Sequence, residues 1–293
     1  MITPALLRDH LAETWGLSGT TVEHHPGGMN SHTWLVRRGP DRWVAKAVPL
    51  PEKGPFASGL AVASRVQEAG IAAGAPVRAL DGRDVVELDD RALALLTWVE
   101  GEELSGDGAG DHELIGATLA RAHRCLAGAS VPGADRFHWV DPRAAHLGLR
   151  SWIRPAVTDA VAALDVLGSG TWGLLHTDPA PEAFRRDPAG GCGLIDWGAG
   201  MVGPLLYDLA SAVMYVGGPG RADRLVGAYL RGGVLGAAEV ERGLVTMLRF
   251  RWAVQADYFA RRVLAGDLTG IDGPDGNERG LEHARLWLDR LRA

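Results

Sequence analysis

Hydrophobic positions in the first hundred residues recur at helical spacing and then at strand spacing. Residues 1–15 carry apolar side chains on one helical face, and Gly16 ends this predicted helix. Alternation then predicts strands at residues 33–37 and 42–48, joined as a hairpin. The pattern further predicts one helix and three short strands, at residues 58–69, 77–80, 85–88 and 93–99. Together these elements form a small sheet domain with one internal helix.

From residue 101 onward, apolar positions recur every three or four residues, which is typical of helices. Helices are predicted at residues 114–127, 152–167, 210–216, 221–230 and 244–263. Two short apolar strands interrupt them, at residues 174–176 and 193–197, and each ends beside a polar residue. The pattern predicts an α+β fold of two lobes, a sheet lobe over residues 1–99 and a helical lobe over residues 100–293.

The composition is that of a globular protein with an acidic balance. Of 293 residues, 46% are hydrophobic, and the formal net charge is −6. This balance offers no basic face to a nucleic acid or an anionic membrane, and it favours a cationic small molecule as partner. The apolar stretches are shorter than the roughly 20 residues of a bilayer helix. We therefore expect a cytoplasmic protein, a monomer or a homodimer.

Two aspartates carry the clearest candidate chemistry. Asp178 follows one of the two short strands, and Asp196 ends the other in Leu194-Ile195-Asp196-Trp197. A hairpin between these strands would bring the two carboxylates together. Paired carboxylates at strand ends suit metal binding combined with proton transfer. Aspartate is also common in turns, so turn capping is the alternative interpretation.

Lys46 gives that pair more weight. Of the 30 basic residues only Lys46 and Lys53 are lysine, so arginine supplies the general surface charge. Lys46 ends the apolar run Val44-Ala45-Lys46, which resembles the kinase strand whose lysine reaches the nucleotide phosphates. The glycine-containing turn at residues 27–31 could cover those phosphates with backbone N–H groups, although such a turn is often only a loop.

This ordered set of motifs resembles the aminoglycoside phosphotransferase and choline kinase superfamily, the small-molecule branch of the protein-kinase-like fold. The resemblance covers nearly the whole chain. It rests on residues 27–30, 45–46, 95–101, 116–123, 176–178, 194–197 and 203–210. The family implies a two-lobed fold that transfers the γ-phosphoryl group of ATP or GTP, with Mg²⁺, to a hydroxyl group of a small molecule.

The resemblance also implies roles for single residues. Asp178 would orient or deprotonate the acceptor hydroxyl, Asp196 would hold Mg²⁺, and Lys46 would neutralise phosphate charge. His176 and Asp208 would support the catalytic loop. The implied nucleotide contacts, from the glycine turn to the inter-lobe hinge, are Gly28, Asn30, Ser31, Thr97, Trp98 and Val99.

Two positions depart from the family pattern. Ala183 stands where the family carries a metal-binding asparagine, so Glu182 is predicted as the replacement ligand. The family also has a helix glutamate that pairs with the strand lysine, but residues 57–59 are not acidic, and only Glu52 or Glu68 could substitute. An active kinase with a rearranged metal site is therefore weighed against a degenerate pseudokinase that binds a nucleotide, another ligand or a protein partner.

The acceptor pocket is expected among the C-terminal helices, as in the superfamily. Residues 251–262 are the candidate segment, with Trp252, Asp257 and Tyr258 as substrate contacts. Acidic residues in and after this segment would suit an amino-bearing acceptor, and a solvated acidic loop is the alternative. Aminoglycoside, choline, homoserine-like and sugar acceptors all remain open.

Overall fold

The computed structural model describes residues 2–25, 29–137, 140–168 and 170–292. The chain begins with helix α1 (Pro4–Trp15), which Gly16 ends in the left-handed conformation. The next elements along the chain are β1 (Thr21–His25), β2 (His32–Arg38), β3 (Asp41–Pro49), helix α2 (Lys53–Glu68), β4 (Val86–Leu88) and β5 (Arg91–Thr97). The five strands form an antiparallel sheet in the order β1-β2-β3-β5-β4.

The membership of this sheet differs from the prediction at two places. Residues 77–80 are not a strand, because Pro76 has no N–H group and only Val77 N donates to the sheet, to Leu95 O at 2.7 Å. The fifth strand is β1, where the sequence pattern predicts no strand. Only Val22 of β1 is buried, so this edge strand lacks the alternation that reveals a strand in sequence.

The rest of the chain is mainly helical. Its helices are α3 (Ala109–Cys125), α4 (Ile153–Leu167), α5 (Leu206–Tyr215), α6 (Asp223–Arg231), α7 (Ala237–Ala265) and α8 (Pro274–Arg290). Short strands lie among them, namely β6 (Glu102–Glu103), β7 (Trp172–Leu175), β8 (Phe184–Arg186), β9 (Cys192–Leu194) and β10 (Met201–Pro204). The predicted α+β class is confirmed, with helix ends shifted by a few residues. None of the described helices is long and apolar enough to cross a membrane.

The predicted hairpin between the strands that precede Asp178 and Asp196 is wrong. β7 pairs with β10 in a two-stranded sheet, whereas β9 pairs with β8 in a separate three-stranded sheet. The two segments are joined instead by the His176 ring, whose Nε2 lies 2.7 Å from Ile195 O. A side chain, rather than a strand ladder, therefore links the loops that carry the two aspartates.

Helix α2 belongs to two parts of the molecule. It is inserted in the chain between strands of the five-stranded sheet, but Val62, Ala63 and Val66 lie in the large apolar core of the helical part. A separate small core lies between α1 and the sheet. The lobe boundary at residues 99 and 100 stays a prediction, and α2 provides packing across it.

Candidate functional site

The loop after β7 places Asp178 on a constrained backbone. Thr177 has φ 77°, a left-handed conformation that β-branched residues rarely adopt. Asp208 of α5, fully buried, accepts hydrogen bonds from His176 N at 2.6 Å and Thr177 N at 2.8 Å. One carboxylate therefore holds both peptide N–H groups that precede Asp178.

Asp208 is itself held by a buried polar chain. His123 Nε2 lies 3.0 Å from Asp208 Oδ2, and His123 Nδ1 lies 2.7 Å from the Tyr229 hydroxyl oxygen. Buried polar groups that are fully hydrogen-bonded in this way make a region rigid. The contacts of Asp208 and His176 are those that a supporting role requires.

Asp178 has two partners, Tyr215, which no sequence motif indicated, and Arg251, the first residue of the segment predicted to shape the acceptor pocket. Arg251 Nη2 of α7 donates to Asp178 Oδ1 at 2.8 Å, and the Tyr215 hydroxyl of α5 donates to the same oxygen. The Arg251 side chain is 6% exposed, whereas that of Asp178 is 57% exposed. The carboxylate is therefore anchored from the protein side and open toward solvent.

Asp196 and Lys46 form a direct ion pair. Asp196 follows β9 with φ 71°, another left-handed position, and its Oδ1 accepts a hydrogen bond from Lys46 Nζ. The Lys46 ammonium lowers the pKa of Asp196 against the opposing effect of desolvation. The structure thus brings together the strand lysine and the strand-end aspartate.

The close packing of α2 explains the missing helix glutamate. A Cβ atom at Gly59 would lie 2.1 Å from the Trp197 carbonyl oxygen and 2.9 Å from Gly198 C. α2 rests directly on the segment after Asp196, which leaves no space for a side chain at this position. In the described part of the chain, Lys46 pairs with Asp196 and with neither Glu52 nor Glu68.

Replacing Gly59 with alanine is expected to lower the free energy of unfolding by about 1–3 kcal/mol. The added methyl group would meet a backbone oxygen, so α2 would have to move away from residues 197–199. Gly54→Ala is the matched control in the same helix, because nothing lies within 4 Å of a Cβ atom there. Urea unfolding measures both, and equal free energies for the two variants would contradict the packing argument.

Hard oxygen donors lie near Asp196, but they form no preassembled metal cage. Among the described residues, no group of three or more His, Cys, Asp and Glu side chains could hold a metal ion. Desolvation and the charges of Asp178, Glu103 and Asp196 raise the pKa of Glu182, which shows that like charges crowd this region. Mg²⁺ is typically bound by one or two carboxylates together with substrate phosphates. The donors present fit that mode of binding.

The predicted nucleotide contacts lie at the two ends of the sheet lobe, and Gly28 lies outside the described residues. Ser31 is buried at the start of β2, and Asn30 is exposed before it. At the hinge, Thr97 N donates to Ala75 O at 2.9 Å. The Arg42 guanidinium carbon lies 5.1 Å from the centroid of the Trp98 ring, and Trp98 and Val99 are half-buried.

The predicted acceptor contacts separate into different environments. Trp252 is buried and stacks on Trp287 with ring centroids 5.6 Å apart. Asp257 is buried and engaged by His146 Nε2 and Arg261 Nη2, each at 2.6 Å. Helix packing buries the Trp252 ring and ion pairs engage Asp257, and a substrate contact through either side chain stays a prediction.

Tyr258 and Arg262 connect α7 with the turn between β1 and β2. The Tyr258 hydroxyl donates to Asn30 Oδ1 at 2.8 Å, and Arg262 Nη1 donates to Met29 O at 3.0 Å. Arg262 also donates to Asp267 Oδ2 at 2.9 Å, so its charge is compensated. The helix predicted to shape the acceptor pocket therefore contacts the turn predicted to cover the phosphates.

Comparisons with known proteins bear on the whole chain. The model of the family described as "Phosphotransferase enzyme family" matches residues 21–244. No curated protein sequence gives a significant match.

Several solved structures are similar in fold. The microcompartment-associated aminopropanol kinase is 19% identical with a TM-score of 0.70, covering 98% of this chain and 96% of that chain. An amicoumacin kinase, solved in complex with AMP-PNP, Ca²⁺ and Ami, is 14% identical with a TM-score of 0.75, covering 99% and 94%. A choline/ethanolamine kinase family protein from Mesorhizobium loti is 17% identical with a TM-score of 0.67, covering 97% and 94%. The TM-scores show that these proteins share the fold of this chain, although their sequence identities to it are low.

Proposed function

Because the chain belongs to the phosphotransferase enzyme family, we propose that it transfers the γ-phosphoryl group of ATP or GTP to a hydroxyl group of a small, amino-bearing molecule. The family and the two-lobed fold predicted from the sequence are confirmed. The observation that carries the proposal is the ion pair of Lys46 with Asp196, beside the loop that presents Asp178. Phosphoryl transfer depends mainly on positioning and on neutralising charge, which these residues supply.

In this proposal the nucleotide lies between the turn before β2 and the hinge after β5. Backbone groups of Trp98 and Val99 bind the purine, since the chain beyond the end of β5 leaves N–H and C=O groups free for a ligand. Thr97, whose N–H group is bonded to Ala75 O, marks the start of this hinge. Gly28, Asn30 and Ser31 cover the phosphates, and Lys46 neutralises their charge. The partial exposure of Lys46, 15% for its side chain, leaves the ammonium accessible to a phosphate.

Asp196 and Glu182 would hold Mg²⁺ in the absence of an asparagine at position 183. The bound cation would neutralise the negative charge of the nucleotide phosphates. Glu182 lies at the surface. Desolvation and the neighbouring carboxylates raise its pKa, which means that its negative charge is not compensated and that a bound cation would stabilise it. Lys46 meanwhile keeps Asp196 ionised.

Asp178 receives the acceptor hydroxyl in this mechanism. Its exposed carboxylate accepts the hydroxyl hydrogen and points the oxygen toward the phosphorus atom. The proton passes from the hydroxyl to Asp178 as the new O–P bond forms and the bond from the γ-phosphorus to the leaving nucleoside diphosphate breaks. Asp208 and His176 act through the backbone, since they hold the loop that carries the carboxylate.

The amino-bearing acceptor is supported by the similar structures and by charge. Aminopropanol and ethanolamine, which occur in their names, are amino alcohols. The formal net charge of −6 suits an ammonium group, and Tyr258 is the hydroxyl group we assign to the acceptor. A cytoplasmic location, where nucleotides are supplied, completes the proposal.

Nucleotide binding is expected to raise the midpoint of thermal unfolding only when Mg²⁺ is present. At about 100 times its Kd, a nucleotide stabilises the folded state by roughly 2.7 kcal/mol, which is a shift of several degrees. The measurement compares ATP and GTP, with and without Mg²⁺, for the wild-type chain and for Asp196→Ala.

The two proteins separate the possible outcomes of that experiment. A Mg²⁺-dependent shift that is lost in Asp196→Ala supports the proposed metal site. An equal shift in both proteins would remove Asp196 from the metal site, and no shift with either nucleotide would contradict the kinase proposal. Binding without transfer to any acceptor would favour a degenerate kinase.

A further inference from the structure

We infer that Arg251 is a positioning residue for phosphoryl transfer, and that with Tyr215 it reserves one oxygen of Asp178 for the acceptor hydroxyl. This inference rests on the proposed function. The guanidinium group of Arg251, on α7, is a charged group in the interior of the protein. Arginine is almost never buried unless it is paired.

The partners of Arg251 fix its guanidinium in one place. Nη2 donates to Asp178 Oδ1 at 2.8 Å, and Nε donates to Ser211 Oγ at 3.0 Å. With the Gln255 amide oriented oxygen-inward, Oε1 accepts from Arg251 Nη1 at 2.9 Å. The ring of Tyr215 lies 5.8 Å from the guanidinium carbon. A group held by this many contacts can position the residue that it binds.

Tyr215 donates to the same oxygen of Asp178. Desolvation and the Asp178 charge raise the pKa of Tyr215 well above its ordinary value, so the phenol keeps its proton and acts as a donor. Asp178 Oδ1 therefore receives two hydrogen bonds from the protein. No donor to Asp178 Oδ2 is found in the part of the chain that the structure describes.

The two oxygens of the Asp178 carboxylate therefore have different roles. Oδ1 is bound from the protein side, and on a side chain that is 57% exposed this leaves Oδ2 for the acceptor hydroxyl. Arg251 also compensates the charge of Asp178, which would otherwise repel the incoming nucleotide phosphates. The positive charge is supplied from behind the carboxylate and makes no contact with substrate.

The test measures phosphate transfer from ATP with Mg²⁺, to aminopropanol and to water, in Arg251→Gln, Arg251→Lys and Tyr215→Phe. We expect Arg251→Gln to lower kcat by about 100-fold with an unchanged KM for ATP, because an electrostatic and orienting contact is lost. Arg251→Lys should recover about tenfold of that loss, since it restores the charge but not the fork of donors. Tyr215→Phe should lower kcat by about tenfold.

A matched control and a double variant exclude a general structural effect. Arg249→Gln removes another arginine of α7. Arg249 Nη2 pairs with Asp159 Oδ2 at 3.7 Å, away from the site, so this variant should leave kcat unchanged. In an Asp178→Asn background, Arg251→Gln should have no further effect on kcat, because the residue it positions is already disabled. Losses that multiply, or no rescue by lysine, would overturn the inference.

The same assay distinguishes failure of the inference from failure of the proposed function. A wild-type chain that moves no phosphate from ATP to either acceptor contradicts the proposed function, and the inference fails with it. A wild-type chain that is active while Arg251→Lys and Arg251→Gln match it contradicts the inference alone. Thermal unfolding of each variant identifies one that does not fold, and Tyr215→Phe then tests the same oxygen independently.

Discussion

Asp178→Asn is expected to lower kcat by about 10²–10⁴-fold, the usual contribution of a general base. The amide keeps an oxygen that can accept from Arg251 and Tyr215, so the loop keeps its shape. It loses the negative charge that attracts the proton of the acceptor hydroxyl. Steady-state kinetics with ATP and Mg²⁺ measure the change, and the KM for ATP should stay close to the wild-type value.

The choice of asparagine at position 178 matters for the control. Asp178→Ala would leave the buried Arg251 without its carboxylate, which is expected to cost about 1–3 kcal/mol of stability. Loss of activity in that variant would therefore mix chemistry with unfolding. Asp187→Asn serves as the matched control, since Asp187 lies in an exposed turn after β8. Full activity in Asp178→Asn would remove this residue from the mechanism.

Lys46→Met is expected to reduce kcat/KM for ATP by about 10²–10³-fold, the loss seen when one preorganised donor is removed from a charged site. Methionine keeps most of the side-chain volume inside the sheet, so packing should change little. The phosphates would lose their neutralising charge, and Asp196 would lose its only described ion pair. Kinetics at several ATP concentrations separate kcat from KM.

The chain supplies its own control for that experiment. Lys53 is the only other lysine, and it pairs with Glu87 on the exposed side of the sheet at 2.6 Å. Lys53→Met should leave kcat/KM unchanged, because an exposed ion pair contributes about 0–1 kcal/mol to stability. Equal losses in the two variants would mean that Lys46 contributes only general surface charge.

Local sequence patterns predicted the parts of the site that depend on local chemistry. Asp178 and Asp196 each follow a short apolar strand, and Lys46 is a lysine within an apolar strand of an arginine-rich chain, so the local pattern was enough to single out all three. The two-lobed α+β fold could be predicted for the same reason, because strand periodicity dominates residues 1–99 and helical periodicity dominates residues 100–293. The edge strand β1 could not be predicted, because one buried residue gives almost no alternation.

Contacts between distant segments could not be predicted in this way. Arg251 and Asp178 are 73 positions apart, and nothing in either local pattern specifies their contact. The signal that existed was a polar stripe at helical spacing on an otherwise buried helix, formed by Arg251, Gln255, Tyr258 and Arg262. Trp252 and Asp257 lie beside this stripe, and the same helix turns them toward Trp287 and His146.

The contacts of α7 at both ends of the stripe have a consequence for changing the specificity of this protein. Arg251 reaches Asp178, and Tyr258 and Arg262 reach residues 29 and 30 in the turn before β2. A chimera that takes only this helix from a relative would put both sets of contacts at risk. A transplant that carries residues 29–31 along with α7 would preserve the contacts with the turn, whereas the contact with Asp178 would depend on an arginine at position 251 of the transplanted helix.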